Sequence, residues 1–189
     1  DAVENPFLRH KSSEVTANFK QNEPYYGFRP YAPQNHEYSL ELGGMWEKAN
    51  LYWIGGSAGF HLGRCAFTSS ETCQNYFDVI AGVGGRDGLT NGLLLTGIKW
   101  QFVNWPKYVS PSVGIYAGVM NIRDDKRDDT PFTYAVSYGL TTAVHKRLDL
   151  KWESRIGGGD QTWGQTFISL SLKVDSWVTY FGNKLKGVG

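Results

Sequence analysis

Apolar and polar residues alternate along most of the chain, and the clearest run is Phe132 to Val174. In its first segment Phe132, Tyr134, Val136, Tyr138, Leu140, Thr142 and Val144 share one face. Thr133, Ala135, Ser137, Gly139, Thr141, Ala143 and His145 share the other. Side chains alternate sides along a strand, so this period of two predicts a strand with one greasy face and one small, polar face. Lys146-Arg147 turns the chain into a second strand, where Leu148, Leu150, Trp152 and Ile156 oppose Asp149, Lys151, Glu153 and Arg155. A third strand sets Ile168, Leu170, Leu172 and Val174 against Ser169, Ser171 and Lys173.

The pattern extends back to residue 37. Five earlier strands are expected at about 37–47, 51–64, 76–85, 93–104 and 112–122. Tyr38, Leu40, Leu42 and Trp46 form the greasy face of the first. Tyr52, Ile54, Phe60 and Leu62 form that of the second. There Trp53 and His61 alternate with Gly55, Ser57, Gly59 and Gly63 on the other face, and such small residues leave room for long partners across a narrow barrel. The fifth strand is apolar on both sides, with Val113, Ile115, Ala117 and Val119 as its greasier face. Arg123 to Asp129 is expected to be a solvated loop, and Gly157 to Gly164 a loop between the last two strands.

About eight strands with short connections predict an all-β fold, a closed antiparallel up-and-down barrel. Strands of ~10 residues or more exceed the usual ~5–6, and sharp alternation over that length points to strands that cross a bilayer. No apolar run approaches the ~20 residues of a membrane helix. An even strand count puts both termini on one side. In a bacterial outer-membrane barrel that side is periplasmic, so the Arg123 and Gly157 loops would be extracellular. The cysteine turn and the Lys146-Arg147 turn would be periplasmic.

Flanking segments differ from the barrel, 37–174. Residues 1–36 carry Asn, Gln, charge and four prolines at Pro6, Pro24, Pro30 and Pro33, and read as an irregular arm or plug. In 175–189 Trp177, Phe181 and Leu185 share a helical face, with Lys184 and Lys186 near the end. That fits a short interfacial helix; an extension of the last strand is the alternative. No leader segment is visible, and a start at Asp1 without Met suits a processed or trimmed chain.

Composition narrows the picture. The formal net charge of +1 gives no electrostatic case for nucleic acid. Twenty-three glycines and 15% aromatics suit close-packed strands with amphipathic interface residues. Tyr38, Trp46, Tyr52, Trp100 and Trp152 lie on greasy faces, several near strand ends, where an aromatic girdle would sit. Cys65 and Cys73 flank a polar stretch between two strands, so a disulfide closing that turn is expected, in an oxidising compartment. No metal site and no cofactor motif is seen.

The polar faces collect Glu41, Glu47, Asp78 and Glu153 against Lys99, Lys151, Arg155 and Lys173. Buried charges persist when paired and hydrogen-bonded, so this balance predicts a plugged interior with a salt-bridge network. His61 and His145 stand near strand ends on polar faces. With Ser57, Asp78 or Glu153 either could serve as the base of a nucleophilic site. Membership of the structural network is the competing reading.

The layout resembles the small outer-membrane β-barrels of Gram-negative bacteria, of the outer-membrane protein A and X type. The segments 37–46, EYSLELGGMW, and 166–174, TFISLSLKV, carry the resemblance best. Such barrels commonly end on an aromatic residue of the last strand, whereas this chain continues through Phe181 to Gly189. The resemblance implies contact with outer-membrane lipid or lipopolysaccharide, an envelope or surface partner, and no wide pore. Two lipid A-modifying barrel families share the architecture, an acyl hydrolase and an acyltransferase. The hydrolase pairs His-x-Ser on one strand with a Glu on a neighbour, but the one such triplet here is His10-Lys11-Ser12, in the N-terminal arm. A lipocalin-like soluble barrel is a third reading, from Gly44-Met45-Trp46, and it inverts the two faces.

Overall fold

The structure is a computed structural model, and it describes residues 26–29, 35–46, 50–65, 72–86, 88–103, 108–124, 127–145 and 147–173. Every regular element among them is a strand. In chain order these are β1 (Tyr26–Arg29), β2 (His36–Trp46), β3 (Asn50–Arg64), β4 (Cys73–Arg86), β5 (Leu89–Phe102), β6 (Ser110–Asp124), β7 (Arg127–Asp129), β8 (Phe132–His145), β9 (Leu148–Gly159) and β10 (Trp163–Lys173). Neighbours pair antiparallel in the order β8-β9-β10-β2-β3-β4-β5-β6, and a β6–β8 pairing closes the ring. The result is a closed eight-stranded up-and-down barrel.

The register fixes its shape. Gly164 pairs with Trp46 on one side and Ile156 on the other. The same row runs on through Val136, Ile115, Ile98, Phe77 and Phe60 to His36, ten residues before Trp46. A stagger of ten over eight strands, at ~3.3 Å per residue and ~4.8 Å between strands, tilts the strands by about 40°. An 11-residue strand such as β2 or β10 then rises ~27 Å, enough for the ~25 Å apolar band of a membrane barrel.

Alternation sets the two faces. Leu42, Ile54, Ile115, Val136 and Ile168 are each more than half exposed, in mid-strand and facing outward. Inward neighbours such as Glu41, Ile80, Ser137 and Arg155 are buried. This is the inverse of a soluble barrel and matches an exterior solvated by lipid. It also decides the ambiguous strand: Val113, Ile115, Ala117 and Val119 of β6 face out, and Tyr116 and Met120 face in.

Two expected loops are partly strand. Gly157 to Gly159 end β9, and Trp163 and Gly164 begin β10. A run of glycines reads as a breaker, yet here large rings occupy the space their side chains leave. A Cβ at Gly157 would collide with the Trp163 indole, and one at Gly158 would come within 2.8 Å of the Tyr134 hydroxyl. The charged stretch 123–129 is likewise not all loop. Arg127–Asp129 folds back as β7 on Ile122–Asp124, with Arg123 Nη2 3.5 Å from Asp128 Oδ2 at the surface.

The barrel has two unlike ends. At the terminal end lie His36 and Lys173, the Cys65–Cys73 disulfide and the connections 65–72, 103–109 and 146–147. Cys65 N donates to Cys73 O, and Val103 N to Thr72 O, so the two longer connections are tied together there. β1 adds to the overhang of β8 beyond the start of β6, opposite Ala143 and His145. The hairpin end carries the short connections 47–49, 87–88 and 160–162 and the β6–β7 hairpin. The remaining N-terminal arm, and the tail 175–189 with its expected helix, lie outside the described residues.

Candidate functional site

The chemistry of this barrel is inside it. Strand alternation sends every second side chain into a bore that eight strands barely leave open. From β2 come Glu37, Ser39 and Glu41, from β4 Asp78, and from β5 Lys99. β6 adds Tyr116, β9 Asp149, Lys151, Glu153 and Arg155, and β10 Lys173. All are buried.

The charged residues and Tyr116 form three groups. Arg155 donates through Nη1 and Nη2 to the two carboxylate oxygens of Glu41, at 2.9 and 2.7 Å, and through Nε to Glu153 Oε1 at 2.9 Å. Its guanidinium stacks 4.3 Å from the Phe167 ring centre, and Trp53 Nε1 adds a bond to Glu41 Oε2 at 3.2 Å. Next, Glu37 Oε2 accepts from Lys151 Nζ at 2.8 Å and Lys99 Nζ at 3.3 Å. Lys99 Nζ also lies 3.4 Å from Asp78 Oδ2, which accepts from the Tyr116 hydroxyl at 3.2 Å. At the terminal mouth Lys173 Nζ meets Asp149 Oδ1 at 2.9 Å.

A buried charge is tolerated when partners replace its water, and each of these has one. Ser39 Oγ, Asp78 Oδ1, Ser137 Oγ and the Gln101 amide are buried without a protein hydrogen-bond partner. Glu37 and Asp149 belong to the network although the polar-face reading counted neither. Their signal was present, since both alternate in phase with charged neighbours. Glu47 lies outside the described residues.

The histidines sit apart. β3 and β8 stand on opposite sides of the ring, so His61 and His145 do not share a site. His61 Nε2 is 2.8 Å from Gln74 Oε1, and its ring lies 5.3 Å from that of Tyr76. Ser57 is four positions from His61 on the same strand face, about 13 Å along β3, beyond the ~3 Å of a nucleophile–base contact. His145 Nδ1 accepts from the Arg147 backbone at 3.1 Å. Among the described residues no cluster of three or more His, Cys, Asp or Glu is arranged to hold a metal ion.

On the exterior, Trp46 and Tyr52 flank the 47–49 hairpin, 44% and 75% exposed. Tyr38, Trp100 and Trp152 stand towards the terminal end, and Trp152 packs edge-on against Tyr138 with ring centres 5.6 Å apart.

No protein-family model matches the sequence, and no characterised protein matches it by sequence. Solved structures do match it in fold. The N-terminal β-barrel domain of Pseudomonas aeruginosa OprF is 17% identical with a TM-score of 0.50, over 74% of this chain and 97% of that one. The outer-membrane enzyme PagL is 10% identical with a TM-score of 0.51, over 72% and 98%. Neisserial surface protein A is 14% identical with a TM-score of 0.49, over 73% and 95%. At such identities the likeness is one of fold, and that fold is the small eight-stranded β-barrel of bacterial outer membranes.

Proposed function

We propose that the protein is a non-conducting outer-membrane barrel with a structural role in the envelope. Its greasy exterior holds it in lipid, and its terminal end carries the segments that meet an envelope partner. The observation that supports this most is the filled bore. Cations and carboxylates pair across it and large rings pack into glycine notches, so the interior is spent on holding the wall together. A terminal-end partner fits better than a cell-surface one, because two of the three longer connections, 65–72 and 103–109, are at that end and are tied together by backbone bonds, while the third, 125–131, folds back on β6 as β7. The opposite rim offers mainly short hairpins, whereas surface-binding barrels extend long loops.

The test is twofold. Gel mobility of unboiled against boiled protein, with and without detergent, reads the membrane barrel, and planar-bilayer recording reads the pore. A heat-modifiable, detergent-requiring, electrically silent protein is expected. A chain that folds as a monomer in plain buffer, or one with steady open-channel current, would sink the reading. Lipid A mass spectrometry checks for an enzyme: His61→Ala and His145→Ala leave the acyl pattern unchanged if both histidines are structural.

A further inference from the structure

The bore is divided in two along its length. Charged side chains run from the terminal end to mid-bore. Glu37 is the second residue of β2, Asp149 the second of β9 and Lys173 the last of β10, while Glu41, the middle residue of β2, and Arg155 mark the upper limit, against Trp53 and Phe167. Apolar ones cluster towards the hairpin end. Met45 and Leu51 flank the 47–49 hairpin, Trp163 opens β10, Leu93 lies near the start of β5, and Met120 and Ile122 near the end of β6. With Trp53, Ile80, Leu95, Ala135, Phe167 and Tyr116, whose hydroxyl reaches Asp78 at the border, they form one contiguous buried cluster, every member at most 4% exposed. Polar bores are the rule in membrane barrels, so an apolar half needs its own explanation.

We infer that this apolar half, and not the ion-pair network, is the barrel's permeability barrier. Three observations carry it. First, packing is close: Leu93 and Met120 are directly opposed across β5 and β6. The Trp53 ring fills the notch left by Gly55 and Gly82, and the Trp163 ring that of Gly157. Second, the indole N–H groups are held. Trp163 Nε1 donates to Thr133 Oγ1 at 2.7 Å, and that hydroxyl donates to Gly158 O at 2.8 Å; Trp53 Nε1 is on Glu41. Rings fixed at both body and edge do not swing aside cheaply. Third, the polar groups in this half are few: Thr133 Oγ1 accepts from the Trp163 indole, Gln165 Nε2 lies 3.8 Å from Met45 Sδ, and Asn91 is fully buried two residues from Leu93. An ion entering here would shed its water and find no replacement, which is how an apolar constriction stops conduction. In the other half an ion meets carboxylates, ammonium groups and orphan polar atoms such as the Gln101 amide, which lower that cost.

This inference rests on the membrane-barrel reading. Three proteins are reconstituted in planar bilayers in potassium chloride: the parent, Glu41→Gln/Glu153→Gln/Arg155→Met, and Leu93→Ala/Met120→Ala. Heat-modifiable mobility certifies that each is folded, and Met120→Ser alone serves where the double variant does not fold. The parent and the charge-neutralised variant are expected to be silent, and the hollowed variant to show discrete current steps. Steps in the charge-neutralised variant, or silence in a folded hollowed variant, would overturn the seal while leaving the closed barrel standing. A conducting parent would overturn both, and loss of heat-modifiability in the parent would point instead to failure of the membrane reading.

Discussion

Arg155 on β9 reaches past β10 to grip Glu41 on β2 with two parallel hydrogen bonds. The two residues are 114 positions apart in sequence, and the strands they join are not neighbours. The pair therefore ties the wall across the chord of the ring, where backbone ladders cannot. Glu153, two residues from Arg155 on the same face, occupies the third donor and leaves one guanidinium serving two carboxylates.

Removing that guanidinium should cost more than removing the whole group. Arg155→Met strands Glu41 and Glu153 beside each other in a buried site, and losing one partner of a buried ion pair typically costs about 3–5 kcal/mol. Neutralising all three residues should recover most of that loss, because no buried charge is left unpaired. Urea unfolding in phospholipid vesicles, followed by tryptophan fluorescence, measures both. Equal destabilisation of the single and triple variants would show that the chord contributes by packing alone.

The outward face makes a different prediction. Ile168 is the middle residue of β10, is 57% exposed, and lies between Leu42 and Trp152 on the adjoining strands. Ile168→Arg should cost ~2–4 kcal/mol in a bilayer, the usual penalty for a cation at the midplane. In short-chain detergent micelles, which let water reach the belt, the penalty should shrink. A variant as stable as its parent in vesicles would place Ile168 outside the hydrocarbon.

Period-two alternation was enough to read the barrel, because it reports on one strand at a time and survives without knowing the partners. It placed Trp53 on the inward face but could not say what that ring packs against. Gly55 and Gly82 make room for the Trp53 ring only once β3 and β4 are in register, and that register is a three-dimensional fact. The same holds for Glu37, whose cations Lys99 and Lys151 sit 62 and 114 residues away. Gly157 and Gly158 read as a loop because local composition hides the aromatic rings that cover them. The contrast between a charged and an apolar half was likewise invisible, since alternation sorts residues by face and not by height along the bore.

The glycine notches are open to test. At Gly157 any Cβ would fall within the Trp163 indole, which is fully buried and pinned by its bond to Thr133. Gly157→Ala should therefore destabilise the barrel by about 1–3 kcal/mol, the usual cost of overpacking a tight site. Trp163→Leu should relieve part of that cost, giving a favourable coupling in a double-mutant cycle. Additive losses would mean that the indole moves aside freely, and the seal would then be softer than its packing implies.

The disulfide should behave as a buried staple. Cys65 and Cys73 are 3% and 0% exposed, their Cα atoms 5.4 Å apart, and their backbones are joined by the bond from Cys65 N to Cys73 O. Exchange requires a thiolate to approach one sulfur, and burial denies that approach. The folded barrel should resist dithiothreitol at concentrations that reduce the urea-unfolded chain at once, as read by the mass shift after alkylation. Because the bond closes a short loop at the terminal end, Cys65→Ser/Cys73→Ser should lower unfolding stability by about 2–3 kcal/mol while the heat-modifiable band persists. Rapid reduction of the folded form would show that the terminal end opens locally, and the connection 65–72 would then be a moving part and not a fixed platform for a partner.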